Sequence, residues 1–198
     1  MDQENIKKFF SEVNMLKRLE HVGFKLAGVE KTDSLADHTL ASAQIAYVLG
    51  FLEGADPEKC AVINLFHDNH ETRIGDHNKV SARYLDTDEA ETTAELEQFT
   101  NLPEELQKRI IGLLEEKRAR GTKEGIVAQD ADWLETAIQA KIYLDRGFIG
   151  CQDWIDNVEK ALETVSAKEI LELIKNDDDF TNCWWRGLKR MTYEKLEK

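Results

Sequence analysis

The sequence is poor in the residues that mark several classes of protein. Its 198 residues include only two prolines and three cysteines. Cys60, Cys151 and Cys183 lie far apart, without a Cys-x-x-Cys pair. This argues against a disulfide framework or a cysteine zinc site and fits a reducing cytoplasm. Linkers rich in Ser or Gly are also lacking, so we expect a single domain.

Basic residues and long apolar runs are scarce as well. The 39 acidic residues outnumber the 26 basic ones, which gives a formal net charge of −13. A surface this acidic repels polyanions, so nucleic acids and anionic membranes are poor partners. No apolar run approaches the roughly 18 residues that a membrane span requires, and the first residues lack the pattern of a signal peptide. We therefore expect a cytoplasmic protein.

Apolar residues recur at helical spacing along nearly the whole chain, whereas strand patterns are rare. The apolar positions from 6 to 19 predict a first amphipathic helix. Ser34 or Asp33 is expected to cap a second helix that ends at Gly54. Asp56, followed by Pro57, is expected to begin a third helix through the sequence PEKCAVINLFHDNHE.

Further helices are predicted along the rest of the chain, at about 88–99, 102–121, 124–146, 152–164, 166–176 and 180–196. The sequence thus predicts an all-α fold of eight or nine helices. We expect residues 1–198 to form one domain. Its core would span about 9–145, and the helices of 150–198 would pack on that core.

An apolar helix, CAVINLF, leads directly into a polar cluster, HDNHETRIGD, at residues 67–76. His67 and Asp68 supply a nitrogen and an oxygen donor, and Glu71 follows His67 by four residues on the same predicted helix face. A divalent metal requires more ligands than these. His38 is the natural partner, because its apolar neighbours place it on an inward-facing stripe of the preceding helix.

Asp132, in the sequence QDADWLETA, is the fourth candidate ligand, with Asp130 as an alternative ligand or helix cap. Histidine nitrogens combined with carboxylate oxygens suit Mn²⁺, Fe²⁺, Co²⁺, Ni²⁺ or Zn²⁺ better than Ca²⁺ or Mg²⁺. An open site of this kind acidifies a bound water and polarises a phosphoryl oxygen. His70 and His77 are interpreted as exposed residues, with extra ligands or bases as the alternative.

The ordered set resembles the H…HD…D pattern of the HD-domain metal-dependent phosphohydrolase superfamily. The similarity is greatest to its HD-domain 5′-deoxynucleotidase branch, through the segments LKRLEHVGF, SLADH, HDNHETRIGD and ADWLE. The match covers residues from about 9 to 145. The resemblance implies a metal bound by four residues: His38, His67, Asp68 and Asp132.

The resemblance also implies roles for three further residues. Glu71 would be the general acid or base, Asp76 would orient the water or contact the sugar, and Arg18 would clamp the phosphate. A guanidinium group is suited to that last role because it grips phosphate bidentately. Residues 77–84 lack the prolines common in this branch, which leaves the identity of the nucleotide open.

The resulting hypothesis is a metal-dependent 5′-nucleotidase that releases phosphate from (deoxy)ribonucleoside 5′-monophosphates and forms a homodimer. One alternative is another HD-type phosphohydrolase or phosphodiesterase, acting on triphosphates, cyclic nucleotides or alarmones. Those substrates would require more basic residues near the motif. A second alternative is a non-enzymatic acidic module that binds a partner through Trp184 and Trp185, which are expected to lie in the core and at an interface.

Overall fold

The computed structural model describes residues 3–188 and confirms the predicted all-α fold. Its eight longer helices are α1 (Gln3–Val13), α2 (Leu35–Glu53), α3 (Pro57–Phe66), α5 (Thr87–Phe99), α6 (Glu104–Ala119), α7 (Lys123–Asp145), α8 (Gln152–Ala161) and α9 (Val165–Lys175). Two single turns are α4 (Glu71–Ile74) and α10 (Phe180–Cys183). Within 3–188, none of the helices is long and apolar enough to cross a membrane.

Side-chain caps begin α2 and α3 at predicted positions. The Ser34 hydroxyl accepts a hydrogen bond from the Asp37 N–H, and the Asp37 carboxylate accepts one from the Ser34 N–H. Gly54 ends α2 with a φ of 66°, a conformation that costs glycine little. The Asp56 carboxylate accepts the Lys59 N–H and starts α3. These caps fix the register in which the two helices present their side chains.

The first helix is shorter than predicted. α1 ends at Val13, and Asn14–Lys17 forms a 3-10 segment instead of continuing the α-helix to Leu19. The Asn14 side-chain amide donates to the Phe10 carbonyl at 2.7 Å. Such a local bond between side chain and backbone competes with further α-helix. The apolar spacing therefore continues past the residue at which the α-helix ends.

The central helix is α7, against which α2, α3, α6, α8 and α9 all pack. Small side chains allow this close approach, and four alanines of α7 are completely buried: Ala128, Ala131, Ala137 and Ala140. At the start of α7, a Cβ on Gly125 would lie only 2.3 Å from the Glu116 carbonyl oxygen of α6. Glycine is therefore required where the two helices meet.

Asn64 of α3 ties three helices together. Its side-chain Nδ2 donates to the Ser42 hydroxyl of α2 at 2.7 Å and to the Ala128 carbonyl of α7 at 3.0 Å. Asn64 is completely buried, so these bonds have no replacement from water. They set the relative positions of the three helices that carry the predicted metal ligands.

The last part of the chain differs from its prediction. Within 180–188, the described part of the helix predicted at 180–196, only the single turn α10 is α-helical. Residues 189–198 lie outside the part that the structure describes. Trp184 is 75% exposed and Trp185 is half-buried. The expectation that one of the two rings joins the core is therefore wrong. A role for the pair at an interface stays a prediction.

Asp130 of α7 anchors the segment that leads into α9. Its carboxylate accepts hydrogen bonds from the N–H groups of Glu163 and Thr164 at 2.9 and 2.6 Å, and from the Thr164 hydroxyl at 2.7 Å. Asp130 is completely buried. Since Thr164 immediately precedes α9, this carboxylate fixes the start of α9 against α7.

We expect Asp130→Ala to lower the free energy of unfolding by about 3 kcal/mol, because buried N–H groups lose their acceptor. Asp130→Asn keeps one accepting oxygen and should cost less. Urea denaturation of the metal-free proteins measures both changes. Unchanged stability together with loss of metal binding in the loaded protein would contradict the anchoring role and favour Asp130 as a ligand.

Candidate metal centre

Four side chains on or next to three helices direct donor atoms to one point. His38 lies in the first turn of α2, His67 caps the end of α3 with Asp68 next to it, and Asp132 lies in α7. His38 Nε2 lies 3.3 Å from His67 Nε2 and 3.2 Å from Asp132 Oδ1. His67 Nε2 lies 3.1 Å from Asp68 Oδ2. The four residues expected to bind metal are thus brought together.

The spacing of these donors fits a single ion. Ligand atoms about 2.1 Å from a metal lie about 3.0 Å apart in an octahedron and about 3.4 Å apart in a tetrahedron. The measured pairs in this cluster are 3.1 to 3.5 Å apart. Two imidazoles and two carboxylates also form a donor set that suits a divalent transition metal.

Each histidine is oriented through its second ring nitrogen. His38 Nδ1 contacts the buried carboxylate of Glu135, and His67 Nδ1 lies 2.8 Å from the Asn64 carbonyl. These contacts favour a proton on Nδ1, which leaves Nε2 as the metal donor. Sequence reasoning assigned Glu135 no role. The signal was present, because Glu135 follows Asp132 by three residues and therefore lies near it on α7.

The second oxygen of Asp132 is held by side chains from α6 and α7. Lys117 Nζ lies 2.7 Å from Asp132 Oδ2, and Gln129 Nε2 lies 3.2 Å from the same oxygen. These bonds leave Oδ1 facing the histidines. Asp130 points its oxygens to the start of α9 instead, so the structure brings Asp132 to the cluster. Sequence reasoning missed Lys117 because the contact joins two different helices.

The polar segment after α3 is a tight turn and not the continued helix that the sequence predicted. α3 ends at Phe66, and the N–H groups of residues 69, 71 and 72 bond to carbonyls three residues earlier. The predicted four-residue helical relation of His67 to Glu71 is therefore wrong. At about three residues per turn, Glu71 lies in line with Asp68 instead. The turn places a potential proton donor beside a ligand.

The carboxyl groups of the site divide into two kinds. Burial alone would raise the pKa of Asp132, but the charges of Lys117 and His67 hold it well below its usual range. Burial likewise opposes ionisation of Asp68, but His67 lowers the pKa of that carboxyl. Burial raises the pKa of Glu71 to about 10, and the charge of Asp68 adds to the effect. The surroundings thus favour the ionised form of Asp68 and Asp132, which a metal ligand requires, and the protonated form of Glu71.

His70 is buried, which contradicts the expectation of an exposed residue. Its Nδ1 lies 3.4 Å from Glu95, whose carboxylate is also paired with Arg118 at 2.9 Å. These side chains belong to the wall of a cavity of about 210 Å³ that also borders the cluster. Its other charged lining residues are Asp68, Glu71, Glu91 and Lys117.

A second cavity of about 340 Å³ is bordered by Asp76. The Asp76 carboxylate accepts the Val22 N–H at 2.6 Å, which fixes its position. The cavity adjoins the metal cluster, because the ring of His21 in its wall lies 4.7 Å from the ring of His38. Aromatic and imidazole side chains form much of the wall: His21, His77, Trp133 and Trp154.

Arg18 is not brought into this group. Its side chain is exposed at the surface, and its guanidinium contacts the Met15 sulfur at 3.9 Å. It borders surface grooves with residues of α1 and the start of α2. Lys117 and Arg118 are the cations that line the smaller cavity beside Asp68.

Comparisons with known sequences agree with this geometry. A family model described as HD domain matches residues 13–174. The protein 5′-deoxynucleotidase HDDC2 from Bos taurus is 31% identical over 144 residues, which cover 71% of this chain and 69% of that protein. The protein of the same name from Dictyostelium discoideum is 30% identical over 149 residues, which cover 70% and 77% of the two chains.

Solved structures share the fold. A conserved hypothetical protein from Pyrococcus furiosus is 27% identical with a TM-score of 0.69, over 86% of this chain and 99% of that one. A structure described as a predicted metal-dependent phosphohydrolase from Magnetospirillum magnetotacticum has a TM-score of 0.69 at 18% identity, over 88% and 91% of the chains. At that lower identity the likeness shows the fold alone.

We expect Lys117→Met to weaken binding of Mn²⁺ or Co²⁺ by about 10- to 100-fold, because Asp132 loses the partner that orients it. Calorimetric titration of the metal-free protein measures the affinity. Lys59→Met is the matched control. It removes a 2.7 Å ion pair between Lys59 of α3 and Glu116, which lies on α6 like Lys117. An equal loss of affinity in both variants would contradict a specific role for Lys117.

Proposed function

Since this chain belongs to the HD-domain family, we propose that it is a metal-dependent phosphohydrolase that releases phosphate from nucleoside 5′-monophosphates. The observation that carries the proposal is the convergence of His38, His67, Asp68 and Asp132 beside the carboxyl group of Glu71, whose pKa is raised to about 10 by burial. Relatives named 5′-deoxynucleotidase, about 30% identical over most of this chain, support the choice of substrate class. Deoxyribonucleotides are therefore the first substrates to test.

We propose that the four converging residues hold one divalent ion, with Mn²⁺, Fe²⁺, Co²⁺, Ni²⁺ and Zn²⁺ as the candidates. When bound, such an ion supplies Lewis-acid chemistry, acidifying water and polarising a phosphoryl oxygen. The protein contributes the geometry of the ligands. Glu135 and Asn64 orient the two imidazoles, and Lys117 orients the carboxylate of Asp132.

Glu71 is proposed to handle the proton of the reaction. Hydrolysis of a phosphate monoester releases a 5′-oxygen that needs a proton, and a carboxylic acid that stays protonated near neutral pH can donate it. Glu71 is half-buried in the turn after α3, and its Oε2, which is shielded from solvent, makes no hydrogen bond within residues 3–188. A bound substrate is proposed to supply the missing hydrogen-bond partner of that oxygen.

The larger cavity is proposed to hold the nucleoside. Trp133 and Trp154 offer aromatic surface to a base, since every base has a face that stacks on aromatic rings. Asp76, held by the Val22 N–H, is proposed to contact the sugar or orient the water. The cavity adjoins the metal cluster through His21, so one ligand can reach both.

Arg18 as the phosphate clamp stays a prediction that rests on the family resemblance. Lys117 and Arg118 are alternative cations, because they line the cavity that Asp68 and Glu71 border. The KM of Arg18→Met tests the assignment. A rise of about tenfold or more supports the clamp, because removing a charged hydrogen bond costs about 1.5–3 kcal/mol. An unchanged KM would assign phosphate binding to Lys117 or Arg118 instead.

We extend the proposal to a cytoplasmic homodimer that binds no nucleic acid. The three cysteines are free, and Cys60 and Cys151 are buried, which supports a reducing compartment. The acidic net charge of −13 supports a small-molecule substrate over a polyanion. The homodimer rests on the family resemblance.

The first test is phosphate release by protein loaded with Mn²⁺ or Co²⁺, using a panel of nucleoside mono-, di- and triphosphates. We expect release from monophosphates only, and none from Asp68→Ala, which lacks a proposed ligand. Release from triphosphates would favour another HD-type hydrolase. No bound metal and no release would leave a non-enzymatic binding module.

We expect Glu71→Gln to lower kcat by about 100- to 10,000-fold while the metal content stays unchanged, because only the transferable proton is lost. Metal analysis and steady-state kinetics measure the two effects. Glu91→Gln is the matched control, since Glu91 lines the same cavity, and its kcat should stay near the wild-type value. Loss of metal in Glu71→Gln would show that Glu71 is a ligand instead.

A further inference from the structure

α2 is apolar on every side, yet half of it faces solvent. Between Asp37 and Glu53 the helix contains no Asp, Glu, Lys or Arg. One side packs against α3 and α7. On the other side, five large apolar side chains are between 46% and 75% exposed, which we name the α2 face: Leu40, Tyr47, Val48, Phe51 and Leu52. A helix that is apolar all round is normally buried. The exposed α2 face therefore indicates that another molecule covers it.

We propose that the α2 face of one copy of this chain covers the α2 face of a second copy. The size of the patch supports this. The exposed parts of its five side chains sum to on the order of 600 Å², which equals the largest patches that monomers leave in water. A stable interface takes about 800 Å² from each partner. The α2 face supplies about three quarters of that area, and the residues around it would supply the remainder.

Charge favours a second copy as the occupant over a basic partner. Two chains that each carry a net charge of −13 repel one another, so they can associate only through surfaces that bring no like charges together. The α2 face is such a surface, because Gln44 is its sole exposed polar residue between Leu40 and Leu52. A basic partner would gain no ion pairs from it.

Symmetry is compatible with the site in each copy. When one face meets an identical face, a twofold axis relates the two chains, which is the commonest arrangement of homodimers. His38 lies on the buried side of α2, toward His67 and Asp132. Pairing through the opposite side therefore leaves both metal clusters outside the contact. This inference names the contact surface of the proposed homodimer and does not depend on catalytic activity.

Analytical ultracentrifugation of the full chain tests the proposal. We expect the wild-type protein to sediment with twice the 22.7 kDa mass of one chain, and Phe51→Glu to raise the dimer dissociation constant by about 30-fold or more, as for a central interface residue. Phe10→Glu is the matched control, because Phe10 of α1 is 62% exposed and should leave the dissociation constant unchanged. Circular dichroism tests whether both variants remain folded, which the comparison requires.

A cross-linking experiment gives a second, positive readout. In a Cys183→Ser background, Val48→Cys should form a disulfide-linked dimer under mild oxidation, since positions near a twofold axis face their own copies. Leu173→Cys, at a position of α9 that is 73% exposed, should stay monomeric in denaturing electrophoresis. A wild-type monomer at every concentration, or a dimer that survives Phe51→Glu, would overturn the proposal. Neither readout uses a substrate, so failure of the α2 contact would leave the proposed phosphohydrolase activity untouched.

Discussion

The buried hydrogen bonds of Asn64 hold together the helices on which the site depends. One amide nitrogen joins α3 to the Ser42 hydroxyl of α2 and to a carbonyl of α7. The backbone carbonyl of the same residue orients His67. A buried amide that loses its hydrogen-bond partners costs more free energy than a different packing of the helices would gain. These bonds therefore specify one arrangement of the three helices. The metal donors meet because rigid helices cross there.

The electrostatics of the site follow from the same packing. Packing of the helices excludes water from these carboxyl groups. The pKa of each group therefore depends on the charges nearest to it. Asp132 has Lys117 and two histidines within reach and stays ionised. Glu71 faces other carboxylates and keeps its proton. The same chemical group, a carboxyl, thereby serves as a proposed ligand in Asp68 and Asp132 and as a proposed acid in Glu71.

Much of this was predictable from local sequence, and the remainder was not. Helix caps such as Ser34 and Asp56 bond to residues within four positions, so they can be predicted from local sequence. The order of the proposed ligands along the chain can also be read directly from the sequence. The tight turn that moves Glu71 into line with Asp68, and the contact of Lys117 with Asp132, arise from packing between elements. His70 was expected at the surface for the same reason, because its burial depends on α5 and α6 and not on its neighbours in sequence.

The two aspartates of the QDAD segment lie two residues apart on α7 and face different directions. Asp130 fixes the start of α9, and Asp132 belongs to the metal cluster. A rotation or a slide of α7 cannot improve one contact without disturbing the other. One turn of α7 thus holds both a carboxylate that fixes a helix and a proposed metal ligand. We therefore expect natural substitutions more often at the residues that contact this turn, such as those that precede α9, than within the turn itself.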